Sequence, residues 1–149
     1  MRKQDDRAVS TALGYVLTLS IASLLVTGLI IAGSGFVEDR REQVVREELT
    51  VIGQQIGADL ARADRLVVAA DSGGSLTVQL NKTYPDRVTG STYQMTLDQS
   101  NEQVVLASSN PEISVTVGVV TETSLQSSTA DGGTIQIAYD GGDLVISDA

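Results

Sequence analysis

One unbroken apolar run and two later hydrophobic periods divide this chain. From Ala8 to Val37 there are 30 residues without a charge. About 20 apolar residues span a bilayer as a helix, so the run predicts a single transmembrane segment over 9–37. Beyond it the apolar positions thin to a stripe. Val45, Leu49, Ile52, Ile56, Leu60 and Ala63 are spaced by 4, 3, 4, 4 and 3. That spacing marks one face of an amphipathic helix over 38–68. No proline occurs before Pro85. The two segments are therefore expected to form one helix from about residue 7 to 67, ~90 Å long at 1.5 Å per residue. Gly33-Ser34-Gly35 is the expected place for a bend or loosening at the membrane surface.

After Asp71 the period becomes two and β-branched residues dominate. Ser75–Leu80, Ser91–Leu97, Val104–Ala107, Ile113–Val120, Thr134–Tyr139 and Leu144–Ser147 read as strands. Asp71-Ser-Gly-Gly, Asp131-Gly-Gly and Asp140-Gly-Gly-Asp143 supply turns. The last of these, between two alternating runs, is the clearest hairpin signal. The expected fold class is α+β: a long N-terminal transmembrane helix, its amphipathic continuation, and a small antiparallel β-rich head over 71–149. So small a head has a marginal core, and the helical stripe is expected to cover its apolar side.

The apolar run holds small residues four apart, Thr18 with Ala22 and Gly28 with Ala32. Lipid offers no hydrophobic drive for helix association, so close backbone approach at small residues must supply it. Gly53 and Gly57 repeat the spacing further on. Glu42 with Arg46 and Asp59 with Arg62 stand at helical contact distance.

Charge changes the picture next. The net charge is -9, with lysine only at Lys3 and Lys82. From Asp71 onward ten acids face only Lys82 and Arg87. Nucleic acid is not an expected partner, since phosphate binding needs a basic face. High negative charge with little lysine points to a halophilic source. Basic residues flank both ends of the apolar run, so the positive-inside count is close to a tie.

Candidate chemistry is sparse. Without His or Cys, a Ser–His triad, a Cys nucleophile and a His-ligated zinc site are excluded. No catalytic residue, metal or cofactor is expected. Asp140 and Asp143 could offer hard oxygen ligands, but no ligand series surrounds them and a plain turn is the simpler reading. Asn81-Lys82-Thr83 matches the N-glycosylation acceptor pattern, with Asn81 and Thr83 at an expected strand end.

The leader decides between modes of membrane attachment. A secretory signal has a short apolar core and a small-residue cleavage site behind it; this run is about twice that length and continues into a helical pattern. In front of the run stands Arg7-Ala8, followed by Val9-Ser10-Thr11-Ala12-Leu13-Gly14. This junction resembles the class III signal of type IV pilin-like proteins, and most closely that of haloarchaeal pilins. The resemblance implies that a prepilin peptidase cuts between Ala8 and Val9 and leaves the apolar helix on the mature chain. Arg7 and Ala8 match the pre-cleavage pair, and Ser10 and Gly14 the start of the helix. Thr11 replaces the familiar proline, Ala8 the commoner glycine, and Leu13 the glutamate of bacterial pilins. The resemblance covers about the first 35 residues. It implies a leader over 1–8 on the inside and a head on the outside. It also implies a non-catalytic role as a minor pilin or pseudopilin-like accessory. The implied partners are membrane lipid, the peptidase, and other pilin-like subunits through the N-terminal helix. The alternative is a single-pass surface or binding protein that keeps its leader and forms no filament.

Overall fold

The computed structural model describes residues 2–70 and 76–149, with residues 2–9 described by backbone alone. A single helix, α1 (Arg2–Ala70), runs without interruption through Gly33-Ser34-Gly35. Among the described residues eight strands follow: β1 (Gln79–Thr83), β2 (Tyr93–Asp98), β3 (Gln103–Ser109), β4 (Glu112–Gly118), β5 (Ser124–Leu125), β6 (Ser128–Asp131), β7 (Thr134–Asp140) and β8 (Asp143–Asp148). The chain forms two compact units, one up to Arg40 and the other from Arg41 to Ala149.

In the second unit the helical stripe is the spine of the core. Val45, Leu49, Ile56, Leu60 and Ala63 are fully buried, and Ile52 and Val67 nearly so. They share one cluster with Met95 and Leu97 of β2, Val104 and Leu106 of β3, Ile135 and Ile137 of β7, and Leu144 and Ile146 of β8. Each such Leu, Ile or Val contributes about 1.5–3 kcal/mol relative to an exposed position. The alternation in the strands explains the rest. Tyr93, Met95 and Leu97 face inward, while Gln94 lies outside.

The strands form two four-stranded sheets, in the orders β1-β7-β8-β5 and β4-β3-β2-β6. All pairings are antiparallel except β5 with β8. The sheets adjoin where β6 passes β8, and side chains rather than a ladder join them. The Ile146 N–H donates to Ser128 Oγ at 3.0 Å, and the Asp131 N–H to Asp148 Oδ1 at 2.8 Å.

Several expectations are corrected. Among the described residues there are eight strands where alternation marked six or so, and one pair, β5 with β8, is parallel. The first lies at Gln79–Thr83, not Ser75–Leu80, because pairing with β7 fixes it there; Leu76 and Val78 precede the ladder and still pack on the core. Ser75 and the Asp71-Ser-Gly-Gly turn lie outside the described residues. At Asp131-Gly-Gly the chain turns from one sheet to the other. A Cβ on Gly132 would stand 2.7 Å from the Tyr93 ring, so that corner requires glycine. Asp140-Gly-Gly-Asp143 is the expected hairpin, with Asp140 opposite Asp143 and positive φ at both Gly141 and Gly142.

Candidate membrane segment and helix-clamping sites

Within the first unit, every described side chain from Ser10 to Arg40 is exposed. Leu24, Leu29 and Ile30 show 73%, 72% and 67% of their surface. A soluble helix that is apolar all round would be buried; an exposed one of this length fits a bilayer. The helix is long and apolar enough to cross a membrane. Four of its hydroxyls are turned inward on the helix itself. Thr18, Ser20 and Thr27 each donate to the carbonyl four residues back at 2.8 Å, and Ser34 to Ile31 at 2.9 Å. In hydrocarbon an unsatisfied hydroxyl is costly, and these bonds remove that cost. Nothing stands within 4 Å of a Cβ placed on Gly14, Gly28, Gly33 or Gly35. At the polar end the Arg40 guanidinium lies 5.3 Å from the centre of the Phe36 ring. The side chains of Arg7, Ala8 and Val9 lie outside the described residues, and only their helical backbone is described.

Within the second unit, three features fix the helix to the head. Asp64 is 6% exposed. Its carboxylate accepts from the backbone N–H of Glu122 at 3.0 Å and of Thr123 at 2.8 Å, in the loop between β4 and β5. Burial pushes its pKa up, but those N–H bonds and the nearby Arg65 charge outweigh it, and the carboxyl is held below the ordinary range. Five residues earlier, Asp59 accepts from Lys82 Nζ at 2.8 Å and from Tyr84 Oη at 2.9 Å. Burial and then the Asp59 carboxylate raise the Tyr84 phenol pKa. This overturns the expected Asp59–Arg62 pairing: Asp59 turns toward β1. Neither that pair nor Glu42–Arg46 forms an ion pair among the described residues. The third feature is Gly53, where a Cβ would stand 2.7 Å from Val117 Cγ2 and 2.9 Å from Leu106 Cδ1. Gly57 is looser, with Val119 at 3.9 Å. These glycines bring the helix onto β3 and β4 of its own head.

Asn81 is the third residue of β1, so it sits mid-strand rather than at a strand end. It is exposed; its Oδ1 accepts from Gln136 Nε2 at 3.2 Å, and Thr83 Oγ1 lies 3.1 Å from Thr134 Oγ1. At the β2–β3 turn, Asp98 accepts from Asn101 Nδ2 at 2.7 Å, from the Ser100 and Asn101 N–H groups and from Gln103 Nε2. The Asn101 side-chain bond leads in lowering the Asp98 pKa. Burial, then Asp86, raises that of Tyr93 to about 12, and its hydroxyl donates to Pro85 O at 2.6 Å. Among the described residues no three acids gather as a metal site. Sequence reasoning missed Asp64 altogether, although its place four residues beyond Leu60 puts it in phase with the buried stripe.

The chain belongs to the family of unknown function DUF7266. The match to DUF7266 runs over residues 4–147. It therefore takes in the apolar run and nearly all of the β-rich head. Neither curated proteins nor solved structures give a match.

Proposed function

We propose that this member of DUF7266 is a non-catalytic, membrane-anchored, pilin-like surface protein that contributes to a type IV pilus-like filament or to its assembly. One observation carries the reading. A single helix runs from the charged leader, through an exposed apolar stretch, into the core of a small β-rich head. The first part suits lipid, and the open space over Gly14 and Gly28 leaves room for a neighbouring helix. The head lies outside the cell and the leader inside. Prepilin peptidase cleaves between Ala8 and Val9, and the partners are lipid and other pilin-like subunits. The acidic, lysine-poor composition fits a halophilic archaeal host. Asn81 is open to a glycan on the exposed face of β1.

Intact mass and N-terminal sequencing of the membrane-bound protein test this. The expected mature chain starts at Val9, and Ala8→Leu retains the leader because the peptidase must fit a small side chain. A mature chain starting at Met1 overturns the reading in favour of a plain tethered surface domain, and one starting at Gly35, which has lost the apolar run, overturns it in favour of a cleaved secretory signal.

A further inference from the structure

A groove of about 670 Å³ lies across one end of the sheet β4-β3-β2-β6, and its walls come from strands and loops of the head. The ladder registers set Asp131 of β6, Gln94 of β2 and Ala107 of β3 side by side, all exposed. That row spans two strand spacings, ~10 Å. Glu112 opens β4 opposite Ser109, one strand further on. Asp86, in the connection from β1 to β2, adds a third carboxylate. Among the described residues no lysine or arginine lines the groove. Arg87, next in sequence to Asp86, lines a different groove beside α1. None of the three acids forms an ion pair among the described residues, and Asp131 accepts a long bond, 3.4 Å, from Gln94 Nε2. Ser108 is the buried member of the lining. It is 3% exposed, and among the described residues its Oγ is the one buried side-chain polar atom without a partner. Its ladder partner Tyr93 does not satisfy it, because the Tyr93 hydroxyl donates to Pro85 O. A buried hydroxyl with no partner is rare and points to a group that the groove receives.

We propose that this groove binds a glycan that carries amino sugars. The ammonium groups pair with the carboxylates, and sugar hydroxyls bond to Ser108 and Gln94 between them. A single metal ion does not suit the groove, since no three acids among the described residues stand close enough to share one. An anionic ligand meets three like charges. A linear polyamine places methylenes between its charges, and these would cover Ser108 and Gln94 without bonding to them. A neutral sugar leaves the carboxylates without a cation. An amino sugar answers both demands. The row is longer than one sugar ring, so at least two linked units are held. The volume lies in the ordinary range for ligand sites, about 300–1,000 Å³. Exposed ion pairs add modest affinity. The carboxylates therefore select the charge, while Ser108 fixes the position of one hydroxyl. Binding is independent of the filament reading and holds whether the leader is cleaved or kept.

Isothermal titration of the full-length protein tests this, in a detergent without a sugar head group. At about pH 6 the carboxylates are ionised and the amines protonated, and at about 0.15 M salt the charges keep their reach. The probes are the β-linked disaccharide of glucosamine, its N-acetylated form and spermidine. The glucosamine disaccharide should bind at least about tenfold more tightly than either of the others. Asp86→Asn and Glu112→Gln should each weaken it about threefold. Ser108→Ala should weaken it about fivefold. The same change should leave the thermal midpoint of the unliganded protein unchanged or raised, because the hydroxyl it removes has no partner there. A merely structural serine would lower the midpoint and leave the affinity alone. Equal binding of the N-acetylated sugar or of spermidine, the lack of saturable binding, or parental affinity in Ser108→Ala overturns the proposal.

Discussion

The two parts of α1 are equally rich in Leu, Ile and Val, yet they meet opposite surroundings. Before Arg40 the apolar residues encircle the helix, and Leu24, Leu25 and Leu29 are 63–73% exposed. After Arg41 most of them form one stripe, and Leu49, Ile56 and Leu60 have no exposed surface, while Val44, Val51, Leu66 and Val68 lie off it and are exposed. Arrangement, not amount, decides which segment takes a protein core and which suits lipid. Small residues divide in the same way. Gly28 faces open space, whereas Gly53 is pressed against Val117 and Leu106.

The sharpest way to break this contrast is a charge on each part. Ile56→Asp should cost at least ~4 kcal/mol and unfold the head, because the carboxylate would be buried without a partner. Gln55→Asp, off the stripe, should stay within about 0.5 kcal/mol. Leu24→Asp should leave the head's thermal midpoint unchanged and reduce membrane insertion, by ~3 kcal/mol at a helix centre. Limited proteolysis and membrane fractionation of the three full-length variants separate the cases. If Ile56→Asp and Gln55→Asp behave alike, the helix is not the core of the head.

The glycines give the next test. Gly53→Ala should destabilise the head by about 1–3 kcal/mol, since Val117 and Leu106 must move. The ~1 kcal/mol gain in helix propensity does not offset a larger clash. Gly28→Ala should leave the head's thermal midpoint unchanged. A Gly53→Ala head as stable as the parent would mean that the helix rides higher on the sheet than described.

Asp64 tests the attachment of the helix to the β4–β5 loop. Its folded pKa lies below the unfolded one. The carboxylate therefore stabilises the fold fully above the unfolded value, about 4, and the contribution is lost as pH falls through the folded pKa. Asp64→Asn should cost about 1–3 kcal/mol near neutral pH. The difference in thermal midpoint between parent and variant should narrow below about pH 4. A difference that does not change with pH would assign the loss to packing rather than charge.

The smallest effect expected is that of salt. Ten acids against Lys82 and Arg87 from Asp71 onward repel one another, and salt shortens the reach of that repulsion from ~8 Å at 0.15 M to ~3 Å at 1 M. The head's thermal midpoint should rise by several degrees between 0.1 M and 3 M salt. Equal midpoints would remove the halophilic reading of its charge.

Periodicity made the helix legible. Every member of the Val45–Ala63 stripe is in the core. The strands with strong alternation, such as Thr134–Asp140 and Asp143–Asp148, were legible for the same reason. Ser124–Leu125 and Ser128–Asp131 were not. They are short and polar, and they become strands only because β8 and β2 offer them edges. Nor could local sequence give the crossing at Gly132-Gly133, which follows from where β6 finds its neighbour. Asp59 shows the same limit: Arg62 is closer in sequence, yet Lys82 on β1 takes the contact. Of the candidate site, the exposed apolar run was open to reading, while Asp64 was hidden among many other acids.

The hydroxyls of the apolar run have one further consequence. Thr18, Ser20, Thr27 and Ser34 all bond to carbonyls of their own helix, so none of these four bonds depends on what surrounds the segment. Moving it from lipid into a bundle of like helices, or back again, breaks none of the four. As far as these four groups are concerned the segment is portable, and an exchange of one apolar environment for another is reversible.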